Sequence, residues 1–420
     1  MTSAIQGACG PVNPEKIPPA IGTVAQGVEI LGGLGNALTV DLGDSYLQID
    51  TGVDVAMAQA MIAKLGAQHK PVQCIAYSHG HLGYNFACPV WLADAQTLGY
   101  SQPPIVAQDQ AADLMRLFQQ TGPLMELLIA IQFAQPIVVN NTPLPITLPT
   151  STFSDNYTVY GSKRLVQLFS APSETPCSIA AWIPDVQVLY SGPAGLCVEP
   201  NLGMPLWPTG NAELWALTLD RLATFNAEHL VRQYGPVIHG KDDVREFLTV
   251  TARALRYIQD AVIENLNLGR NLNQTLNAMT YPRELFDHKF LSEGYSTHRD
   301  AVRSVWNAVT GWWSRNPTDL AAVPDDEVAT AVRSAISDPA KVLATAESLR
   351  AGGQQALALH VVDLLALVPG NEDVVVAART LKVQLCRDLA ANAESFDRQS
   401  IYLTSANVIE SPPAAPTGIH

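Results

Sequence analysis

The stretches NALTVDLGDSYLQIDTG (residues 36–52) and KPVQCIAYSHGH (residues 70–81) decide the fold. The first, with VEILGG just before it, divides into short strand-like runs separated by Gly, Asn or Asp at turn positions. A helical stretch over residues 53–65 then leads into PVQCIAY, a continuous apolar run of the kind a strand buried on both faces requires. Strand, helix, strand is an α/β signature. Working outward, YTVY (157–160), RLVQLF (164–169), IAAWI (179–183) and VQVLYS (186–191) read as further strands, and residues 211–225 as a helix. The texture changes after His239-Gly240: Val244, Phe247, Leu248, Leu255, Ile258, Val262 and Leu266 recur at helical spacing, and helical segments continue to about Ala391. A domain boundary is therefore expected near residue 240. Residues 344–378, with turns at Gly352-Gly353 and Pro369-Gly370-Asn371, read as a helix pair of the tetratricopeptide kind. One such pair cannot bury its own face and must pack on neighbouring helices or on a second subunit.

Composition narrows the function. The 420 residues are 47% hydrophobic and 15% charged, enough for a large core in two to three domains and incompatible with a disordered chain. Twenty-five basic against 39 acidic residues leave a net charge of -14, which repels phosphate backbones and anionic lipid, so nucleic acid is not an expected partner. The apolar window 122–139 carries Glu126 and Gln132 and is broken by Pro136, so it is no membrane span; it reads as a buried or pocket-lining helix. MTSAIQGACGPVNPEK at the start lacks a basic segment followed by an apolar one, and the six cysteines show no CxxC spacing. Reduced thiols and a cytoplasmic compartment are expected.

Ser78-His79-Gly80-His81 follows the buried strand directly, which puts two imidazoles on one loop within reach of a single ion. Together with the IDTG turn and its Asp50, this opening resembles that of the metallo-β-lactamase superfamily. Further along, LPTSTFSD (148–155), APSETP (171–176), WIPDVQVLYSG (182–192) and PNL (200–202) appear in the order and spacing of its alkyl sulfatase branch. YIQD (257–260), YST (295–297), GWWSRNP (311–317) and YLTSA (402–406) resemble the helical dimerisation domain of that branch. The resemblance implies an α/β fold: an αβ/βα metallo-β-lactamase sandwich over residues 1–240 and an all-helical dimerisation domain over 241–410, with a mobile Pro-rich tail over 411–420. It also implies a homodimer, for which Trp306, Trp312 and Trp313 are candidate anchors.

Carried over position by position, the family's HxHxDH loop keeps its first two ligands as His79 and His81, and Glu174 of PSETP keeps the carboxylate of the first site. Gly83, Tyr84, Pro193 and Tyr234 stand where the resemblance places ligands of a second ion. The remaining 2-His-1-Glu set implies one divalent metal ion, zinc or iron(II). Asn201 is kept, but Leu206 stands where a sulfate-binding Arg is expected, and residues 205–211 hold no histidine. Losing the guanidinium fork argues against alkyl sulfates. The expectation is thus a divergent, mononuclear enzyme acting on a small apolar, ester-like substrate, with Tyr84, Tyr234 and Asn201 orienting it. Two alternatives stay open: iron(II) chemistry of an oxidative or lyase kind on the same ligands, and a metal-poor dimeric pseudoenzyme. His239 could replace the lost late histidine or merely serve a turn, and Cys177 could be a ligand, a nucleophile or a small buried thiol. Leu124, Leu127, Leu128, Ile131 and Phe133 line an apolar channel or belong to the core.

Overall fold

In the computed structural model, residues 11–13, 16–140, 142–208, 210–321, 323–414 and 417–419 are described; Cys9 and residues 415, 416 and 420 of the expected tail lie outside them. Seven strands form a sheet in chain order: β1 (Gly22–Ala25), β2 (Val28–Gly32), β3 (Ala37–Asp41), β4 (Tyr46–Ile49), β5 (Val72–Ala76), β6 (Ile105–Gln108) and β7 (Ser151–Phe153). Pairing is antiparallel as far as β4 and parallel from β4 to β7. Parallel neighbours need crossovers, and α1 (Val55–Leu65) and α2 (Cys88–Thr97) supply them, followed by α3 (Asp109–Gln120) and α4 (Gly122–Gln132). The second sheet, β8 (Asn156–Tyr160), β9 (Leu165–Ser170), β10 (Ile179–Ile183), β11 (Val188–Gly192), β12 (His229–Arg232) and β13 (Ile238–His239), is also sequential. Its one parallel pair, β11 with β12, is bridged by α5 (Ala212–Ala223).

The sheets face each other across Val28, Leu38, Val40, Leu47 and Ile49 from one side and Val166, Leu168, Ile179, Ala181 and Tyr190 from the other, all buried. The outer face of the first sheet is covered by Ala58, Met61, Trp91, Ala111 and Met115 of its helices. The outer face of the second is covered by Trp215 and Leu219 of α5, by Phe247, Leu248, Leu255 and Ile258 of α6 (Lys241–Asn267), and by residues of the later helices α7 (Leu272–Ala278), α8 (Arg283–Phe286) and α9 (His298–Thr310). Helix, sheet, sheet, helix is the αβ/βα sandwich. The crossover α1 begins where the Asp54 carboxylate accepts the Met57 N–H at 2.8 Å, so Asp54→Ala is expected to lower unfolding stability by about 1 kcal/mol in a urea titration.

The chain forms two compact units, one from residues 12–122 and 142–309, the other mainly from 123–140 and 310–414. The unit holding the sheets thus continues well past residue 240, because α6 to α9 share its core. In the second unit α10 (Asp325–Ala335) is followed by α11 (Pro339–Ala351) and α12 (Gln355–Ala366), the expected helix pair. Ala346, Ala358, Val362 and Leu365 of the pair are covered by Ala378, Leu381 and Leu385 of α13 (Asp373–Ala391), so a neighbouring helix completes it. The last helix, α14 (Phe396–Glu410), touches the α4 segment of the same unit, Phe396 against Phe133 and Thr404 Oγ1 donating to the Ile131 carbonyl. Trp306 needs correcting as a dimer anchor: it is 1% exposed and packs with Ala301, Val302 and Val305 inside the first unit. Trp312 and Trp313, beyond the end of α9, are 76% and 41% exposed. Among the described residues no helix is long and apolar enough to cross a membrane.

Candidate metal centre

The site is built on two loops, one from each sheet. At the end of β4, Asp50 adopts φ 58°, a left-handed backbone that Asp tolerates better than most residues. Its carboxylate Oδ1 accepts the Ser78 N–H at 2.9 Å and the Asn85 side-chain amide at 2.8 Å, which fixes the loop leaving β5. Burial raises the Asp50 pKa against the pull of these donors. From the second sheet, the Ile179 N–H donates to the Ser78 carbonyl at 2.8 Å, and the Gly80 N–H donates to Cys177 Sγ at 3.3 Å. These two bonds tie the β5 loop to the turn that carries Glu174.

His79 is fully buried and His81 half-buried, with ring centroids 4.8 Å apart. His81 Nδ1 lies 3.9 Å from Glu174 Oε2, and one ligand atom from each of His79, His81 and Glu174 falls within 4.8 Å of the others. Ligands about 2.0–2.2 Å from a tetrahedral ion sit roughly 3.4 Å apart, so these separations suit one. His79 Nδ1 is 2.8 Å from Ser78 Oγ, while its buried Nε2 has no hydrogen-bond partner among the described residues. A proton on Nδ1, donated to Ser78, leaves Nε2 as a bare lone pair, which is the form a metal takes. The donor set therefore fits a divalent ion. Burial lowers the pKa of both imidazoles and pushes the Glu174 carboxyl up to about 7, against the pull of the Asn201 amide hydrogen-bonded to it.

Beside His79 stands Tyr84, ring to ring at 4.4 Å, and its hydroxyl meets the Tyr234 hydroxyl at 2.6 Å. The Tyr234 loop is held from the first sheet: Asn36 donates through its N–H to the Gln233 carbonyl at 2.7 Å and through Nδ2 to the carbonyls of Arg232 and Gly235 at 2.8 and 2.9 Å. Gly35, at φ +75°, permits that approach, since a Cβ there would stand 2.4 Å from the Gln233 carbonyl. Gly83, at φ +91°, brings only backbone to this side of the pocket.

Other candidates fall elsewhere. Cys177 accepts from Gly80 and contacts Thr175 Oγ1 at 3.3 Å, and burial raises its thiol pKa; it positions the loops rather than offering a thiolate. His239 is exposed and pairs with His229, Nδ1 to Nδ1 at 2.8 Å. Of the expected channel leucines, Leu124 is exposed, and the α4 segment belongs to the second unit. The apolar wall near the histidines comes instead from Phe118, 6.5 Å from the His81 ring, and Trp207, 6.4 Å from Phe118. Phe118 follows Ala111 and Met115 at ordinary helical spacing and carries no sequence signal beyond core.

Known proteins resemble the chain in sequence and in fold. The model of the alkyl sulfatase dimerisation domain matches residues 271–411. A linear primary-alkylsulfatase from Pseudomonas sp. (strain ATCC 19151) is 24% identical over 394 residues, covering 88% of this chain and 73% of that protein. The solved stereoselective inverting sec-alkylsulfatase Pisa1 from Pseudomonas sp. superposes with a TM-score of 0.80 at 19% identity over 94% of this chain, and a double mutant of that enzyme does so at 18% over 93%. The chain spans 66% of the length of each solved protein. Over most of its length the chain is thus similar to the alkylsulfatases in sequence, it shares the fold of the solved sec-alkylsulfatase, and its helical segment over residues 271–411 matches the alkyl sulfatase dimerisation domain.

Proposed function

We propose that the chain is a metal-dependent hydrolase of alkyl sulfate esters, with one zinc ion held by His79, His81 and Glu174. The single observation that carries the metal is the buried, unpartnered Nε2 of His79, facing a second imidazole and a carboxylate. The substrate class corrects the expectation that alkyl sulfates are excluded. That exclusion is overturned by relatives named alkylsulfatases, one of them aligned over 88% of the chain. Leu206 in place of an Arg removes one anion contact, but it leaves the cluster that supplies charge to the ester untouched.

The ion, when bound, supplies Lewis-acid polarisation of the ester. The chain does the rest. Asn201, hydrogen-bonded to Glu174, fixes the carboxylate. Burial keeps the Tyr84 phenol protonated, and the bond between the Tyr84 and Tyr234 hydroxyls leaves one O–H of the pair to donate to an ester oxygen. Phe118, Met115 and Trp207 form an apolar wall for the alkyl tail and keep water from that side. Tyr84→Phe is expected to lower kcat for dodecyl sulfate by about 10- to 100-fold with little change in metal content. The decisive test is sulfate release from dodecyl sulfate by zinc-loaded protein; full loading at these ligands without release would overturn the reading.

The matched dimerisation model supports a homodimer built by the helical segments after residue 240. Exposed Trp312 and Trp313, with Leu320, offer the apolar surface. Light scattering coupled to size exclusion is expected to give twice 45.1 kDa, and Trp312→Glu to shift the population towards 45.1 kDa. Five described cysteines, all buried and unpaired, support a cytoplasmic compartment.

A further inference from the structure

One charge in the first unit is buried with no opposite charge beside it. Arg232, the last residue of β12, is 6% exposed, and among the described residues no carboxylate pairs with it. Taking a guanidinium out of water without a counter-ion is costly, and an apolar side chain of similar length would fill the space without that cost. What the planar fork grips explains its presence. Nη1 donates to the Leu196 carbonyl at 3.3 Å and Nη2 to the Pro236 carbonyl at 3.1 Å, while the guanidinium lies 5.2 Å from the centre of the Phe247 ring of α6. The buried Nε has no hydrogen-bond partner among the described residues.

The two carbonyls belong to different loops. Leu196 lies on the stretch that runs from β11 to Asn201, and Pro236 closes the turn that carries Tyr234. That turn is held a second time by Asn36, which donates to the Arg232 and Gly235 carbonyls, and by the Gln233 N–H, which donates to the Gly195 carbonyl at 2.9 Å. Gly235, at φ +86°, lets the fork lie against the turn: a Cβ there would stand 3.3 Å from Arg232 Nη2 and 2.6 Å from Cys197 Cβ. Both ends of the turn are thus fixed, and with them the place of the Tyr234 hydroxyl against that of Tyr84.

We propose that Arg232 is a positioning residue for the hydrolysis: its fork clamps the turn that carries Tyr234 to the loop that leads to Asn201, and so holds the Tyr234 hydroxyl on that of Tyr84. The inference rests on the reading of this hydroxyl pair as a donor to the ester. Arg232 acts through Tyr234 and touches neither substrate nor metal ligand. Lysine is no equivalent, because an ammonium is a point charge and does not span two carbonyls as a rigid fork does.

Sulfate release from dodecyl sulfate by zinc-loaded, full-length protein tests the clamp, together with crystal structures of the variants. Arg232→Met is expected to lower kcat about 10- to 100-fold, with KM and zinc content little changed, because His79, His81 and Glu174 lie on other loops. Arg232→Lys keeps the charge and carries the test if the methionine variant fails to fold; its kcat should stay at least about 5-fold below wild type. In a Tyr234→Phe background either substitution should cost no more than about 2-fold further, since residues that act through one another do not add. Equal losses in both backgrounds, or full activity of Arg232→Lys, would overturn the clamp. In the crystals the 2.6 Å contact between the Tyr84 and Tyr234 hydroxyls should open beyond about 3.5 Å in Arg232→Lys; an unchanged contact would also overturn it. Absence of sulfate release by the wild-type protein would count against the hydrolytic reading instead, and the crystal comparison would then decide the clamp alone.

Discussion

Replacing His81 with alanine is expected to abolish metal retention at the histidine loop and to cut sulfate release from dodecyl sulfate by about 1000-fold or more, well beyond the ~10–100-fold cost of losing an outer-sphere partner. Among the described residues three such side chains converge there, so the loss of one leaves His79 and Glu174 without the geometry to hold an ion. Structure should survive, because His81 is half-buried and the loop is fixed by backbone bonds to Asp50, Cys177 and Ile179. Circular dichroism and the urea midpoint should therefore change little while metal content and turnover fall. Undiminished turnover would show that the ion is held elsewhere.

The largest expected loss of stability is at Trp215. Its indole is fully buried in the core between the second sheet and α6, and its N–H donates to the Ala194 carbonyl at 3.0 Å. Trp215→Ala removes one of the largest fully buried side chains of that core and leaves the carbonyl without its donor, which should cost about 3–5 kcal/mol in urea unfolding. Trp215→Phe separates the two contributions: it keeps most of the packing, so the bond accounts for about 1 kcal/mol of its smaller loss. Because Ala194 opens the loop that leads to Asn201, both variants should also raise KM for the sulfate ester. Unfolding at an unchanged urea midpoint would refute the packing argument.

What the sequence revealed depended on how locally each feature is encoded. The β4 and β5 runs, the IDTG turn and the HxH loop are contiguous, and their alternation or continuous apolarity states how they are buried. Glu174 is a single acidic residue far along the chain, legible only through the resemblance of APSETP to a family pattern. Trp306 was misassigned because helical spacing says that an indole is buried but not against what. Phe118 and Trp207 were missed for the same reason: an aromatic lining a pocket and one filling a core have the same periodicity. The exclusion of alkyl sulfates leaned on an absent arginine, an absent histidine and the missing ligands of a second ion, although the groups that remain still supply charge at the reacting ester.

Both sheets are laid down in strict chain order, and this has a consequence for synthesis. As the polypeptide leaves the ribosome, each new strand finds its partner already in place at the growing edge, so the first sheet can assemble before any of the second exists. His79 and His81 belong to that first-made layer, whereas Glu174 arrives on the turn between β9 and β10. A nascent chain arrested before that turn offers two imidazoles and no carboxylate. Tight capture of the ion should thus mark the moment at which the two layers close on each other, making metal affinity a clock for the docking of the halves.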